Sequence, residues 1–177
     1  LKRGVGFYSN KRGRWGGQFN QEEIEQMKPK MTITKRWGDI PCSHRQHKHA
    51  GHCAFSHGHN WAFELEFTAD HMDANGFVVD FGKLTPIKEW FNDTFDHSHL
   101  FNEDDTAGLV MFEAFPEMFK VRVVPDASAE GLATYVYEHL SRLLEGKYPE
   151  DVGMRGLRII RVTVEEDSKN KATLVVS

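Results

Sequence analysis

HGHNWAFELEFTA, residues 57–69, decides how the rest of the chain is read. His57, His59, Trp61, Phe63, Leu65 and Phe67 share one parity, while Asn60, Glu64 and Glu66 take the other. Successive side chains on a strand point to opposite faces, so a period of two predicts a half-buried β-strand. The same alternation puts both imidazoles on one side, in line with the apolar residues. Gly58 between them lets another group approach the backbone closely.

Working outward, MTITKRW (31–37) is β-branched and predicts a strand before the histidine-rich loop. After the central strand, MDANGF (72–77) offers an Asn75-Gly76 turn ahead of Phe77-Val78-Val79, which predicts a hairpin. Leu84, Ile87, Trp90 and Phe91 recur at helical spacing, with Thr85-Pro86 as cap and first residue. A second helix carries Leu132, Val136, Leu140, Leu143 and Leu144 as one stripe, with Ser128 as its N-cap. Residues 102–124 between the helices are irregular and long for a loop, with room for a short strand. LRIIRVTVEED (157–167) alternates again, with Ile160, Val162, Val164 and Glu166 on one face, and ATLVVS closes the chain as a last strand. Helices grouped in mid-chain predict an α+β fold, an antiparallel sheet with helices on one face.

Composition bounds the rest. The chain of 177 residues is 40% hydrophobic, which suits one compact domain over 31–177. A formal net charge of -4 gives no reason to expect nucleic-acid binding by the whole chain. No apolar run reaches the length of a membrane span. Residues 1–30 read as an N-terminal extension: LKRGVGFYSNKRGR is basic and Gly-rich, without strand or helix periodicity or a signal-peptide core. Two cysteines, Cys42 and Cys53, make no secreted disulfide framework, so the expected setting is cytoplasmic.

Six of the ten histidines fall between positions 44 and 59. Two imidazoles on one strand face plus a third from a neighbouring strand give a tripodal site with open positions, the way catalytic zinc is held. His44, at the end of the first strand region, is the expected third ligand beside His57 and His59. His47, His49 and His52 read as solvated loop, and a histidine-rich metal-binding protein is the non-enzymatic alternative. His57-x-His59 followed by Glu64 is similar to the metal motif of cupins, but Glu64 points away from both histidines and two amphipathic helices do not suit that barrel. Cys53, four residues before His57, is a candidate base or nucleophile because a nearby cation stabilises its thiolate; Cys42 reads as structural. Asp96-His97 is a candidate proton relay, against the equal reading of an exposed helix end. Glu166 on an apolar strand face needs a donor, and an amino-pyrimidinone edge would supply a matched pair.

Together these residues resemble the 6-pyruvoyl-tetrahydropterin synthase superfamily over roughly 31–177. The family's zinc site matches His44, His57 and His59, its catalytic Cys matches Cys53, and its Asp-His pair matches Asp96-His97 in FDHSHLFN. The pterin-anchoring Glu matches Glu166, and a Pro-Thr-x-Glu segment corresponds to Ala127-Ser128-Ala129-Glu130, with Pro and Thr replaced; the usual Thr after the anchor is Asp167. The three-residue gap between Cys53 and His57, and Val79-Asp80-Phe81, are similar to the 6-carboxytetrahydropterin synthase branch. The resemblance implies the tunnelling fold, a four-stranded antiparallel sheet with two helices on one face. It also implies a hexamer of two trimeric barrels with sites between subunits, so that Ser128 and Glu130 could serve a neighbour. The implied chemistry is zinc-dependent conversion of 7,8-dihydroneopterin triphosphate, with loss of triphosphate and acetaldehyde, on the way to queuosine. The runner-up is pyruvoyl-forming chemistry at the same metal.

Overall fold

The computed structural model describes residues 30–176. The expected extension therefore lies, but for its last residue, outside the described residues. Six strands form one sheet: β1 (Thr32–His44), β2 (His57–Thr68), β3 (Ser98–Asn102), β4 (Val121–Val124), β5 (Arg158–Glu165) and β6 (Lys171–Val175), in the order β4-β3-β1-β2-β5-β6. β1, β2, β5 and β6 pair antiparallel and make the expected four-stranded sheet. The sheet is larger than expected because β3 and β4 add two short parallel strands along the His44 end of β1. Among the described residues, four helices accompany them: α1 (Thr85–Thr94), α2 (Thr106–Ala114), α3 (Ala129–Lys147) and α4 (Pro149–Arg155). None is long and apolar enough to cross a membrane.

The alternation in β2 sets the core. Trp61, Phe63, Leu65 and Phe67 are all buried, and Phe63 stacks on Phe91 of α1 with ring centroids 4.6 Å apart. The α3 stripe of Leu132, Val136, Leu140 and Leu144 joins the same cluster, with Val162 and Val164 from β5. Each such side chain contributes roughly 1.5–3 kcal/mol by leaving water. Ser128 caps α3 as its spacing predicts: its Oγ accepts from the Gly131 amide at 3.0 Å. The start of α1 differs slightly. Leu84 occupies the cap position and Thr85 is the first helical residue, with its Oγ1 donating back to the Gly82 carbonyl at 2.9 Å.

The hairpin expected after β2 does not form. Asp73 organises a local turn by accepting from the amides of Asn75 and Phe77 at 2.8 and 2.9 Å. The Arg155 guanidinium then donates to the carbonyls of Phe77 and Val78, groups that a returning strand would have paired. Val78 and Val79 enter the core from a loop instead. β2 pairs instead with β1, across the histidine-rich loop, and with β5.

Between Trp37 and Ile40 the β1–β2 register shifts by one residue, and Asp39 takes a left-handed φ of 58°. This bulge matters for the site. Trp37 and Ile40 are an odd number apart, yet both are buried, because the extra residue restores the strand's phase. From Ile40 onward, Cys42 and His44 stay on the face of Trp61, His59 and His57, and His44 lies opposite His57 in the ladder.

Candidate active site

His44, His57 and His59 converge at the end of the β1–β2 ladder. Each offers a ring nitrogen, and these nitrogens all lie within 4.8 Å of one another. The ring centroids are 4.6 to 5.3 Å apart. Trp61 meets the rings of His44 and His59 edge-on, and its indole N–H is tied to the Cys42 carbonyl at 3.1 Å.

Two of the three tautomers are fixed by their partners. His44 Nδ1 lies 2.7 Å from the Ala127 carbonyl, and His57 Nδ1 lies 2.8 Å from the Phe55 carbonyl. A carbonyl only accepts, so each Nδ1 carries the hydrogen and each Nε2 presents a lone pair. The Nε2 atoms of His44 and His59 are buried and have no hydrogen-bond partner. Buried nitrogens left without donors are what a divalent cation would satisfy, so these residues fit a metal ion of the type held by neutral imidazoles. Glu166 reaches the same place: its Oε1 is 3.4 Å from His44 Nε2 and 3.6 Å from His59 Nε2.

Burial lowers the His44 pKa to about 4 from an ordinary 6.5, with the neighbouring imidazoles acting in the same direction. The folded chain thus keeps His44 neutral at pH values where the unfolded chain protonates it. The metal-free protein is therefore expected to keep this contribution in full above pH 6.5 and to lose it progressively as pH falls toward 4. Urea midpoints of chelator-treated protein across that range check it; a midpoint that rises with acidification contradicts it.

A cavity of about 350 Å³ opens beside the triad, lined among others by His44, Cys53, Ser128, Glu130, Glu166 and Lys169. Cys53 is exposed in a single 3-10 turn, His52–Ala54, held by the Gln46 amide on the Cys53 carbonyl. Ser128 and Glu130 come from the start of α3, so within one chain they face the same cavity as Cys53. Glu166 and Lys169 come from the β5–β6 turn. Asp167 organises that turn by accepting from the amides of Lys169 and Asn170, both at 2.7 Å, and from Asn170 Nδ2 at 2.9 Å. These bonds hold its carboxyl below the usual range and give a structural reason for an aspartate there.

Asp96 and His97 do bond to each other, Oδ1 to Nδ1 at 2.8 Å, although they are adjacent. The left-handed backbone at His97, φ 54°, makes this possible. The pair stands outside the Cys53 cavity. His97 borders a wider depression of about 570 Å³, together with Ser43, His59, His99 and Lys120. Cys42 is buried, and desolvation pushes its thiol up to about 12, so it is a neutral core group. His49 and His52 are exposed as expected, but His47 is half-buried, with Nε2 3.3 Å from Asp104.

Spacing does not single out two further residues near the triad. His99 on β3 is buried, its Nδ1 2.6 Å from Ser43 Oγ and its Nε2 without a partner. Asn102, at the end of the same strand, is buried with both amide atoms engaged. Recognising either requires knowing that β3 runs beside β1, and a five-residue strand leaves little periodicity to read.

The family model described as 6-pyruvoyl tetrahydropterin synthase matches residues 32–175, and the chain belongs to this family. Among curated relatives, a 6-carboxy-5,6,7,8-tetrahydropterin synthase of Rickettsia conorii is 35% identical over 68 residues, covering 38% of this chain and 49% of that protein. The chain thus spans about half the length of the first curated relatives it matches. A probable 6-carboxy-5,6,7,8-tetrahydropterin synthase of Halobacterium salinarum is 30% identical, covering 72% of this chain and 75% of the relative. Among solved structures, an uncharacterised protein of Wolinella succinogenes aligns with a TM-score of 0.71 at 17% identity, covering 85% of this chain and all of the other. The 6-pyruvoyl tetrahydropterin synthase of Caenorhabditis elegans aligns with a TM-score of 0.56 at 22% identity, covering 84% and 97%. These structural likenesses establish the fold.

Proposed function

We propose that the protein is a zinc-dependent 6-carboxy-5,6,7,8-tetrahydropterin synthase that acts on 7,8-dihydroneopterin triphosphate and releases acetaldehyde and triphosphate, in the route to queuosine and related 7-deazaguanines. The observation that carries this reading is the convergence of His44, His57 and His59, with the buried Nε2 atoms of His44 and His59 unpartnered, beside a cavity lined by His44 and Cys53. The names of the curated relatives support the carboxy-forming branch.

In this reading the three Nε2 atoms hold the ion, which when bound acidifies the side-chain hydroxyls of the substrate and stabilises oxyanion charge. Cys53, exposed on its turn, moves protons at the side-chain carbons. Glu166, Ser128 and Glu130 fix the pterin ring and so convert binding into orientation. Lys169 and Lys171 put positive charge on the wall of a cavity that receives a polyanion. Asp96 and His97 form a ready relay but lie outside the Cys53 cavity of their own chain, which supports a site completed by a neighbouring subunit of a homohexamer. Among the described residues, β1 is paired on its β3 side only from Cys42 to His44, leaving its first half open to another strand. A free, exposed Cys53 suits a reducing cytoplasm.

The test is incubation of zinc-loaded protein with 7,8-dihydroneopterin triphosphate and identification of products by mass spectrometry. The expected result is 6-carboxy-5,6,7,8-tetrahydropterin with acetaldehyde. A product that loses triphosphate but keeps its side-chain carbons assigns the chain to pyruvoyl-forming chemistry. Unchanged substrate, with several zinc ions bound weakly per chain, overturns the enzyme reading in favour of a histidine-rich metal binder.

A further inference from the structure

We propose that Asn102 is a positioning residue for the metal centre, fixing both the backbone and the ring of the ligand His44 from the neighbouring strand β3. The inference rests on the reading of His44 as a metal ligand, and not on the identity of the substrate. Asn102 ends β3 and is 4% exposed. Its Oδ1 accepts from the Ala127 amide at 2.8 Å, and its Nδ2 donates to the Arg45 carbonyl at 3.2 Å. An amide N–H only donates and a carbonyl only accepts, so these partners also fix which way the side-chain amide faces.

The two partners are the ones that matter to His44. Arg45 is the next residue along the chain, so its carbonyl anchors the backbone that carries the ligand. Ala127 is fully buried, and its carbonyl receives the His44 Nδ1 hydrogen at 2.7 Å. One side chain therefore holds the ligand's own strand with its donor, and with its acceptor the residue whose carbonyl selects the ligand's tautomer. A second tie runs alongside: Arg45 makes a bidentate pair with buried Asp105, at 2.6 and 2.7 Å, and Asp105 caps α2 by accepting from the Gly108 amide at 3.0 Å. The segment between α1 and α3 thus braces the metal strand through Asn102 and Asp105. His47 Nδ1 also lies 3.4 Å from Asn102 Nδ2, at the edge of the same group.

Asn102→Leu keeps the γ-branched shape and removes both bonds. It leaves the Ala127 amide buried without an acceptor and loosens the residue whose carbonyl meets His44. Aspartate keeps the acceptor for Ala127 but replaces the donor with an oxygen facing the Arg45 carbonyl. Partners that orient a metal-bound histidine typically change affinity by about 10–100-fold when lost.

The experiment measures zinc affinity by competition with a chromophoric chelator, and the absorption spectrum of the cobalt-substituted protein, without any pterin present. Asn102→Leu is expected to weaken zinc by about 10–100-fold and to alter the cobalt d–d bands, with Asn102→Asp intermediate. Metal-free thermal unfolding of each variant runs alongside. Wild-type affinity and an unaltered cobalt spectrum in Asn102→Leu, even with lowered thermal stability, overturn the proposal by reducing Asn102 to a packing role. Should both variants fail to fold, nitrogen-15 spectra of the wild-type metal-free protein decide. Hydrogen on His44 Nδ1 supports the proposal, and hydrogen on Nε2 overturns it. Failure of the pterin reaction leaves every one of these readouts intact, so the two proposals fall separately.

Discussion

Replacing His59 with alanine is expected to strip the protein of tightly held zinc and, with it, of turnover. The His59 Nε2 is buried without a partner beside the matching atom of His44, so removing it takes one of only three converging lone pairs. Two imidazoles cannot enforce a tripod. The loss in affinity should exceed the roughly 10–100-fold that follows from losing an outer partner, and reach on the order of 1,000-fold or more. The side chain is only half-buried at the end of β2, where it supports little of the hydrophobic core, so the metal-free fold should persist. Metal content after dialysis against a weak chelator checks this, with wild type expected to retain about one zinc per chain. A His59→Ala protein that kept the same stoichiometry would remove the triad from the mechanism.

Cys53→Ala should separate metal binding from chemistry. The thiol is exposed on a short turn and contributes no core packing, so neither folding nor zinc content should change. Turnover of 7,8-dihydroneopterin triphosphate should fall by about 100- to 10,000-fold, the range expected for losing a group that moves protons in the transition state. The measurement is single-turnover product formation at matched zinc occupancy. Near-normal rates would show that the thiol only lines the cavity, and the proton transfers would have to be assigned elsewhere. A partial effect in Cys53→Ser, whose hydroxyl is a far weaker acid, would show that the thiolate form matters.

Much of this site is legible in the sequence because a strand repeats every two residues. His57, His59 and Trp61 share a face by parity alone, and the antiparallel return of β1 brings His44 opposite His57. Ser128 is legible for a similar reason, since capping is a local event between residues three apart. Sequence reasoning fails where a distant group decides the outcome. Asn75-Gly76 does make a turn, but Arg155 takes the carbonyls a hairpin would have used, and that arginine is far away in sequence. β4 falls within 102–124, the stretch with room for a short strand, but neither it nor β3 is long enough to show a period, so their parallel pairing, and with it the place of Asn102 and His99, stays hidden. Neighbours such as Asp96 and His97 do not ordinarily face each other; a left-handed residue, which spacing does not announce, joins them.

The bulge before Ile40 gives the site an arithmetic character. His44 keeps its partners because the ladder absorbs one surplus residue between Trp37 and Ile40. Flattening the strand at full length would leave every reactive group of the protein present and silence them together, by turning one ligand to the opposite side, whereas excising the surplus residue would leave a regular ladder and the same facing. The kink in the backbone is itself a catalytic feature.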